Sequence, residues 1–200
     1  LSGVSHDLRT PLTRLRLGLA LMPEDAETRS LQHDVADMER MVEEFLAFAR
    51  GDAMEGAEAV DAVALAEAVL ARLGGPARLV EVIGRPEPVT LRPQAISRAL
   101  ENLMSNAQRY GKRVELRLEF RDRTLDFRVE DDGPGIPPEA RSEALKPFAR
   151  LERSRDPNRG GGVGLGLSIA ADIALSHGGR LSLGESAGLG GLRVDLVIAR

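Results

Sequence analysis

The chain has 200 residues, of which 42% are hydrophobic and 29% charged, and 27 Lys and Arg against 31 Asp and Glu give a net charge of −4. These values are typical of a soluble globular chain of one or two domains and argue against a disordered chain or a strongly basic nucleic-acid binder. No apolar window reaches the roughly 18 residues that a membrane-spanning helix needs. The absence of Cys excludes disulfides, thiolate metal sites and a cysteine nucleophile.

The first fifty residues are predicted to form two helices. A stripe of apolar residues, interrupted only by Ser5, recurs at alternating spacings of four and three over 1–22, and a second stripe follows over 31–49. Segment 23–28 between them carries turn-forming and helix-starting residues, which indicates an antiparallel hairpin. One hairpin cannot cover both apolar stripes, so we expect a homodimer in which two hairpins form a four-helix bundle. Pro11 is expected to bend the first helix.

The rest of the chain has the pattern of an α+β domain. Residues 51–60 are small or acidic and lack periodicity, which predicts a linker. After it, helical and alternating patterns are interspersed, as in a mixed sheet with helices on one face. We predict helices near 61–73, 93–110 and 164–177 and strands near 79–83, 88–92, 114–120, 125–129, 180–186 and 192–198.

Two amides stand on the long predicted helix. Asn102 and Asn106 are four residues apart and therefore share one helix face. Two amide oxygens can complete the shell of a Mg²⁺ ion that is otherwise satisfied by phosphate oxygens and water. A solvated polar face is the plain structural alternative.

A second motif, Asp131-x-Gly133-x-Gly135, follows a predicted strand. Glycines allow a ligand ring to approach the backbone closely, and a carboxylate can accept a hydrogen bond from an exocyclic amine such as that of adenine. A tight turn from strand to helix is the structural alternative here.

A third motif has glycines at 162, 164 and 166, directly before the last predicted helix. Free backbone N–H groups at the positive end of a helix suit phosphate oxygens. A Walker A loop would need Lys where Leu167 stands, and the third glycine of a dinucleotide fingerprint would also fall at Leu167, so both are excluded. Taken alone, the segment fits a flexible surface loop equally well.

In this order the three motifs resemble the N, G1 and G2 boxes of the GHKL (Bergerat-fold) ATP-binding superfamily, and residues 146–150 resemble its F box. The resemblance implies an α/β sandwich domain that binds ATP and Mg²⁺. It implies that Asn106, with Asn102, holds Mg²⁺ and that Asp131 binds the adenine amine. The other nucleotide contacts that it implies are Arg109, Tyr110, Lys112, Gly133, Gly135, Ile136, Phe148, Gly162, Gly164, Leu165, Gly166 and Leu167. Arg193 departs from the family pattern, which often has a small hydroxyl residue at that position.

The start of the chain narrows the resemblance. Residues 5–12 resemble the H box of HisKA-type sensor histidine kinases, and the extension 13–17 is similar to EnvZ-like osmosensor kinases. This implies that a ring nitrogen of His6 attacks the γ-phosphorus of ATP while Asp7 orients the ring. It implies transfer to an aspartate of a response regulator receiver domain of the OmpR-like type, and Thr10 matches the position associated with dephosphorylating the regulator.

The resemblance also implies two moving parts, a lid at 151–166 that orders on ATP and the linker that lets the ATP domain reach the histidine. It implies a membrane anchor upstream, with this fragment on the cytoplasmic face of the bacterial inner membrane. The chain begins at Leu1 and not at Met, so we expect an internal fragment. His33 and His177 are expected to be ordinary surface residues.

Three alternative functions fit the sequence less well. A GHKL ATPase of the gyrase, MutL or chaperone type needs a general-base Glu four residues before the Mg²⁺-binding Asn, and Asn102 occupies that position. A non-catalytic ATP-sensing dimer scaffold has no need of the His6–Asp7 pair, and an anti-sigma type serine kinase lacks the hairpin. We therefore predict a sensor histidine kinase core with a phosphotransfer hairpin over 1–50 and an ATP-binding domain over 61–200.

Overall fold

The computed structural model describes residues 2–51, 55–149 and 164–200. These residues belong to two compact units, a helical one within 2–51 and an α/β one made of 55–149 and 164–200. Gly162, most of the expected lid and the middle of the expected linker lie outside the described residues. Among the helices that are described, none combines the length and the apolar character needed to cross a bilayer.

The helical unit is the expected hairpin. Helix α1 spans Ser2–Ala20 and continues through Pro11, and helix α2 spans Ala26–Gly51. Arg16 Nη1 lies 3.2 Å from Glu39 Oε2, an ion pair that spans the two helices.

Two further hydrogen bonds define the turn between α1 and α2. The Asp25 carboxylate accepts a hydrogen bond from the backbone N–H of Thr28 at 2.7 Å and thereby caps α2. The same bond stabilises the ionised form and lowers the pKa of Asp25. Gln32 Nε2 donates to the carbonyl of Leu19 at 3.3 Å, so early α2 lies beside late α1, in the antiparallel arrangement.

The hairpin covers only part of its apolar surface. Leu12 and Val35 are buried within it. Among the hairpin residues whose side chains are described, the large apolar ones that stay exposed are Leu15, Leu17, Leu21, Met22, Leu31 and Met38.

The α/β unit contains seven strands and four helices among the residues described. The strands are β1 (Glu58–Val60), β2 (Ala77–Ile83), β3 (Val89–Leu91), β4 (Val114–Phe120), β5 (Thr124–Asp131), β6 (Arg180–Glu185) and β7 (Leu192–Ala199). The helices are α3 (Ala62–Leu73), α4 (Pro93–Tyr110), α5 (Arg141–Ala144) and α6 (Gly166–Ser176), with a 3₁₀ turn over Pro138–Ala140 before α5.

Five strands form a mixed sheet in the order β2-β4-β5-β7-β6, in which β2 and β4 are parallel and the other pairs antiparallel. The predicted α+β class with a mixed sheet is therefore confirmed. Strands β1 and β3 form a separate antiparallel pair, Glu58 opposite Leu91 and Val60 opposite Val89. Strand β1 was not expected, because it lies in the segment predicted to be a linker.

The core lies between the sheet and the helices. Residues of β4 alternate between buried and half-buried, with Leu116 and Leu118 fully buried on the helix-facing side. Leu100, Leu103 and Met104 of α4 are fully buried as well. Helix α4 packs against both α3 and α6, so it is the central helix of the layer.

The opposite face of the sheet carries a network of charged residues. Arg117 Nη1 lies 2.9 Å from Glu130 Oε2, and its Nη2 lies 3.0 Å from Glu115 Oε2. Arg128 and Asp195 pair at 2.6 Å across β5 and β7. This hydrogen bond is the main reason that the pKa of Arg128 is raised.

The beginning of α4 is capped from outside the helix. Its N-cap residue Arg92 makes no side-chain capping bond. Instead, the Glu55 carboxylate accepts hydrogen bonds from the backbone N–H groups of Gln94 at 2.7 Å and Ala95 at 3.0 Å. A negative charge at the positive end of a helix is stabilising. Glu55 therefore belongs structurally to the α/β unit, although it lies in the segment that we predicted as a linker.

His177 differs from the surface residue expected from the sequence. Its Nε2 accepts a hydrogen bond from the backbone N–H of Arg92 at 3.2 Å, and its Nδ1 lies 2.7 Å from the carbonyl oxygen of Ile173. The tautomer with the proton on Nδ1 satisfies both of these backbone contacts. The half-buried imidazole thus joins the start of α4 to the end of α6, a contact that no local pattern could reveal.

Candidate functional site

The two predicted amides lie on α4 near the start of α6. Asn102 and Asn106 are both half-buried. The side-chain nitrogen of Asn102 is buried, and no hydrogen-bond partner for it exists in the part of the chain that the structure describes. A Cβ on Gly166 would lie 3.6 Å from the Cβ of Asn102. A buried polar atom without a partner costs stability, so this position fits a group that receives a ligand.

The amino end of helix α6 lies at the same place, and no side chain of the described residues caps it. The helix begins at Gly166, and its N-cap residue Leu165 makes no side-chain capping bond. Ser168 donates its hydroxyl to the carbonyl of Leu165 at 2.9 Å and so does not cap the N–H groups. Unpaired N–H groups and the helix dipole suit an anion. Leu165 is buried and Leu167 half-buried beside this end.

Gly164 requires the absence of a side chain. Its φ is +77°, and a Cβ there would come within 2.6 Å of the carbonyl oxygen of Ala149. The predicted F-box residue Phe148 adjoins this contact, has a φ of +62° and is 56% exposed. A left-handed conformation is strained for a bulky residue. The backbone at 148–149 and Gly164 are therefore held in close contact.

Asp131 is the buried acid of the site, with 3% of its surface exposed. Its Oδ1 accepts hydrogen bonds from the backbone N–H groups of Gly133 at 2.8 Å and Leu192 at 3.2 Å. Its other oxygen makes no hydrogen bond with any residue that the structure describes. Burial raises the pKa of Asp131, the two hydrogen bonds oppose this, and the negative charge of Asp132 adds to the increase.

Glycines surround this carboxylate closely. A Cβ on Gly133 would lie 2.8 Å from Asp131 Oδ1 and 3.0 Å from the carbonyl oxygen of Tyr110. A Cβ on Gly191 would lie 2.3 Å from the Asp131 carbonyl oxygen. Gly135 has a φ of +66°. Sequence reasoning named Gly133 and Gly135 but missed Gly191, for which the glycine pair before the last strand was the available signal.

The other predicted nucleotide contacts lie at the end of α4 and beyond β5. Tyr110 is half-buried, whereas Arg109 and Lys112 are exposed. Ile136 is half-buried, and its carbonyl accepts a hydrogen bond from Arg141 Nε at 3.1 Å.

Asp132 was missed from the sequence. Its Oδ1 accepts hydrogen bonds from the backbone N–H groups of Lys112 at 2.6 Å and Arg113 at 2.9 Å. Both bonds lower the pKa of Asp132, and the bond from the Arg113 N–H has the larger effect. The carboxylate thereby fixes the turn after α4 beside the end of β5.

Arg193 lies away from the amides. Leu192 and Val194 face the helices, so Arg193 points to the other side of the sheet. There its Nε lies 3.1 Å from Asp195 Oδ2, and its guanidinium covers Gly184. At a position where the family often has a small hydroxyl residue, this chain therefore has an arginine that joins the charged network on the sheet face opposite the helices.

The predicted phosphoacceptor residues lie in the helical unit. His6 and Asp7 belong to α1, and Thr10 follows one helical turn after His6. Thr10 is half-buried. An open groove is lined by Thr10, Pro11, Arg14, Leu15, Gly18, Leu19 and Met22.

Models of known protein families match both units of the chain. The family model of the His Kinase A (phospho-acceptor) domain matches residues 1–53, and that of the histidine kinase-, DNA gyrase B- and HSP90-like ATPases matches residues 91–199. The chain belongs to the sensor histidine kinase family. Sensor histidine kinase GtrS of Pseudomonas aeruginosa is 39% identical to it over 201 residues, which cover 100% of this chain and 41% of GtrS. This sensor histidine kinase chain spans less than half the length of the curated relatives it matches.

Solved structures agree with this membership. The histidine kinase domain of the Escherichia coli osmosensor EnvZ, solved by NMR, is 32% identical with a TM-score of 0.54, over 72% of this chain and 89% of that one. Full-length ShkA, crystallised in complex with AMPPNP, is 26% identical with a TM-score of 0.70, over 99% of this chain and 44% of that one.

Proposed function

We propose that this chain is the catalytic core of a sensor histidine kinase, which transfers the γ-phosphoryl group of ATP to His6 and then to an aspartate of a response regulator. The observation that carries the proposal is the combination in one chain of a His6–Asp7 helix with a unit that has polar groups suited to a nucleotide. Those groups have no side-chain partner among the described residues, and they are the Asn102 side-chain nitrogen, the second oxygen of Asp131 and the amino end of α6. Its similarity to ShkA, which was crystallised with AMPPNP, supports ATP as that ligand.

Asp131 would recognise the base. Its Oδ1 is occupied by two backbone N–H groups, so the other oxygen is available to accept a hydrogen bond from the adenine amine. The glycines at 133 and 191 leave no side chain between this carboxylate and its surroundings. Half-buried Tyr110 would line the base pocket, and the remaining contacts implied by the resemblance would surround the nucleotide.

The amides of Asn106 and Asn102 would hold Mg²⁺ through their side-chain oxygens, a donor type that Mg²⁺ accepts in a shell otherwise made of phosphate oxygens and water. When bound, the ion neutralises charge on the phosphates. The amino end of α6 would bind phosphate oxygens through its N–H groups and positive dipole. Arg109 in the last turn of α4 and Lys112 just after that helix are exposed cations that would add phosphate contacts.

The chemical step at His6 follows from imidazole chemistry. A neutral ring nitrogen attacks the γ-phosphorus, a nitrogen–phosphorus bond forms, and the bond from that phosphorus to the bridging oxygen of ADP breaks. The positive charge that develops on the ring would be stabilised by the neighbouring carboxylate of Asp7, which would also orient the ring and accept its proton. Thr10, one turn further on, would serve the dephosphorylation of the regulator, in which water cleaves the aspartyl phosphate and inorganic phosphate leaves, and an OmpR-like receiver domain is the proposed partner.

A second copy of the chain would complete the helical unit. The apolar side chains that the hairpin leaves exposed include Leu15, Met22, Leu31 and Met38, on both helices. A second hairpin would bury them in a four-helix bundle. We place the phosphotransfer hairpin at 1–50 and, with the fragment on the cytoplasmic side of the bacterial inner membrane, start the ATP-binding domain at Glu55 and not at the predicted residue 61, which shortens the predicted linker over 51–60.

The test is incubation of the purified chain with γ-labelled ATP and Mg²⁺, followed by acid and base treatment. We expect label that survives base, is lost in acid, and is absent from His6→Gln and Asn106→Ala. Ser105→Ala, an exposed substitution on the same helix as Asn106, serves as the matched control and keeps the label. Bound ATP without any protein label would contradict the proposal and favour an ATPase or an ATP-sensing scaffold.

A further inference from the structure

Two polar side chains outside the motifs are almost completely buried in the α/β unit. Ser186 follows β6 and is 1% exposed, and Glu130 of β5 is 5% exposed. Ser186 donates its hydroxyl to Glu130 Oε1 at 2.8 Å, and Glu130 Oε2 accepts a hydrogen bond from Arg117 Nη1 at 2.9 Å. Both carboxylate oxygens therefore have a partner. A buried carboxylate that loses one partner is costly, so this arrangement is well defined.

Ser186 organises the loop between β6 and β7. Its hydroxyl oxygen accepts a hydrogen bond from the backbone N–H of Leu189 at 3.1 Å. Its carbonyl accepts one from Gly190 at 2.8 Å, and its backbone N–H donates to the carbonyl of Gly191 at 2.9 Å. One residue thus fixes three others of the loop, and the bond to Glu130 anchors the loop to β5.

The far end of the same loop holds Asp131. The backbone N–H of Gly191 donates to the Asp131 carbonyl at 3.1 Å, and that of Leu192 donates to Asp131 Oδ1 at 3.2 Å. Glu130 is the residue directly before Asp131. The network therefore starts and ends on adjacent residues of β5, with the loop held between them.

We propose that Ser186 and Glu130 are positioning residues for the Asp131 carboxylate, and that they thereby set the preference of the site for purine nucleotides with an exocyclic amine. This inference rests on the proposed function of Asp131. Without the Ser186 hydroxyl the loop loses its side-chain anchor to β5 and keeps only the backbone bonds, so the N–H groups of Gly191 and Leu192 hold Asp131 less firmly. A hydrogen bond whose acceptor is not held in place contributes less to binding.

The experiment compares the dissociation constants of ATP and inosine triphosphate, which has a carbonyl in place of the amine, for the intact chain with Mg²⁺. We expect wild type to prefer ATP and Ser186→Ala to lose about 3- to 10-fold in ATP affinity, the value of one ordinary hydrogen bond. Affinity for inosine triphosphate should stay within about twofold, since that base gains nothing from the carboxylate. Ser182→Ala is the matched control: half-buried Ser182 lies in β6 and makes none of these hydrogen bonds.

An equal loss for both nucleotides in Ser186→Ala, or an unchanged preference, would overturn the inference. Glu130→Gln is a second variant in case Ser186→Ala folds poorly. Gln has the same size as Glu but only one acceptor oxygen, so its amide nitrogen would face one of the two donors, Ser186 or Arg117. This variant should therefore reduce the preference for ATP as well. Asp131→Asn separates the two hypotheses. If Asp131→Asn keeps the preference for ATP, the assignment of Asp131 to adenine fails. If Asp131→Asn loses the preference but Ser186→Ala and Glu130→Gln keep it, only the proposed positioning network fails.

Discussion

Gly166, the first residue of α6, lies against the half-buried Asn102 on α4, and a Cβ on Gly166 would be in van der Waals contact with the Asn102 Cβ at 3.6 Å. The contact brings an amino end that no described side chain caps next to an amide nitrogen that has no hydrogen-bond partner among the described residues. The packing of α4 on α6 therefore brings together two groups that are suited to bind a ligand.

The Asn102→Ala substitution should separate stability from function. It removes a buried nitrogen that has no partner in the described structure, so we expect the free energy of unfolding to stay within about 1 kcal/mol of wild type. The affinity for ATP with Mg²⁺ should fall about tenfold or more, because an ion ligand is lost. Thermal unfolding and nucleotide titration measure the two effects, with Ser105→Ala as the exposed control. A large loss of stability with unchanged affinity would show that Asn102 is structural.

Asp131→Asn should bind ATP less tightly without lowering stability at neutral pH. The folded pKa of Asp131 is raised above its ordinary 3.8. The folded state therefore binds the proton more tightly than the unfolded state does. The stability that this contributes is present below pH 3.8 and is lost as the pH rises through the folded pKa. The amide oxygen of Asn can still accept the N–H groups of Gly133 and Leu192.

Denaturant unfolding of both proteins from pH 4 to pH 7 tests this pH dependence. We expect the stability of Asp131→Asn relative to wild type to increase with pH, and ATP affinity to fall by about one to two orders of magnitude, since a hydrogen bond to a charged group is lost. A relative stability that declines as the pH rises would contradict the burial argument.

Gly191→Ala should damage both the fold and nucleotide binding. The new Cβ would lie 2.3 Å from the Asp131 carbonyl oxygen and 2.5 Å from its Oδ1, so the backbone must shift. Gly188→Ala in the same loop meets no atom within 4 Å and is the matched control, expected to stay within about 0.5 kcal/mol of wild type. Melting temperature and ATP affinity measure both. Equal behaviour of the two variants would exclude a special role for Gly191.

A charge on the exposed apolar side of the hairpin should prevent association of two copies. Leu15 is 51% exposed and lines the groove on α1, so Leu15→Glu would bury a carboxylate in a four-helix bundle. We expect wild type to sediment as a dimer and the variant mainly as a monomer. Leu175→Glu, at a 65% exposed position on α6, is the control and should leave the dimer intact. A monomeric wild type would contradict the proposed bundle.

Most elements of the fold could be predicted because their signals are local. The alternation over 114–120 and 125–129 corresponds to β4 and β5, and the helix predicted over 93–110 is α4. Strand β1 escaped because three residues in a small, acidic segment have no periodicity of their own. Its only reason to be extended is pairing with β3, about thirty residues away in the chain.

The same distinction holds at the site. The motif glycine Gly133 stands two residues from Asp131 and was found, whereas Gly191 approaches the same carboxylate from sixty residues away and was not. The sequence likewise predicts a surface position for His177, because the backbone N–H of Arg92 that contacts it is 85 residues away in the chain. Spacing in the chain reports neighbours on one element, and long-range approaches become visible only when the elements are packed.

The carboxylate of Glu55 on the first turn of α4 has a practical consequence for anyone shortening this chain. A fragment that begins at residue 61, where sequence patterns alone would start the domain, discards both this cap and the strand that pairs with β3. Such a fragment exposes the edge of β3 and leaves two amino-end N–H groups of the Asn-bearing helix to solvent. An ATP-binding fragment that retains its native affinity should therefore start no later than Glu55.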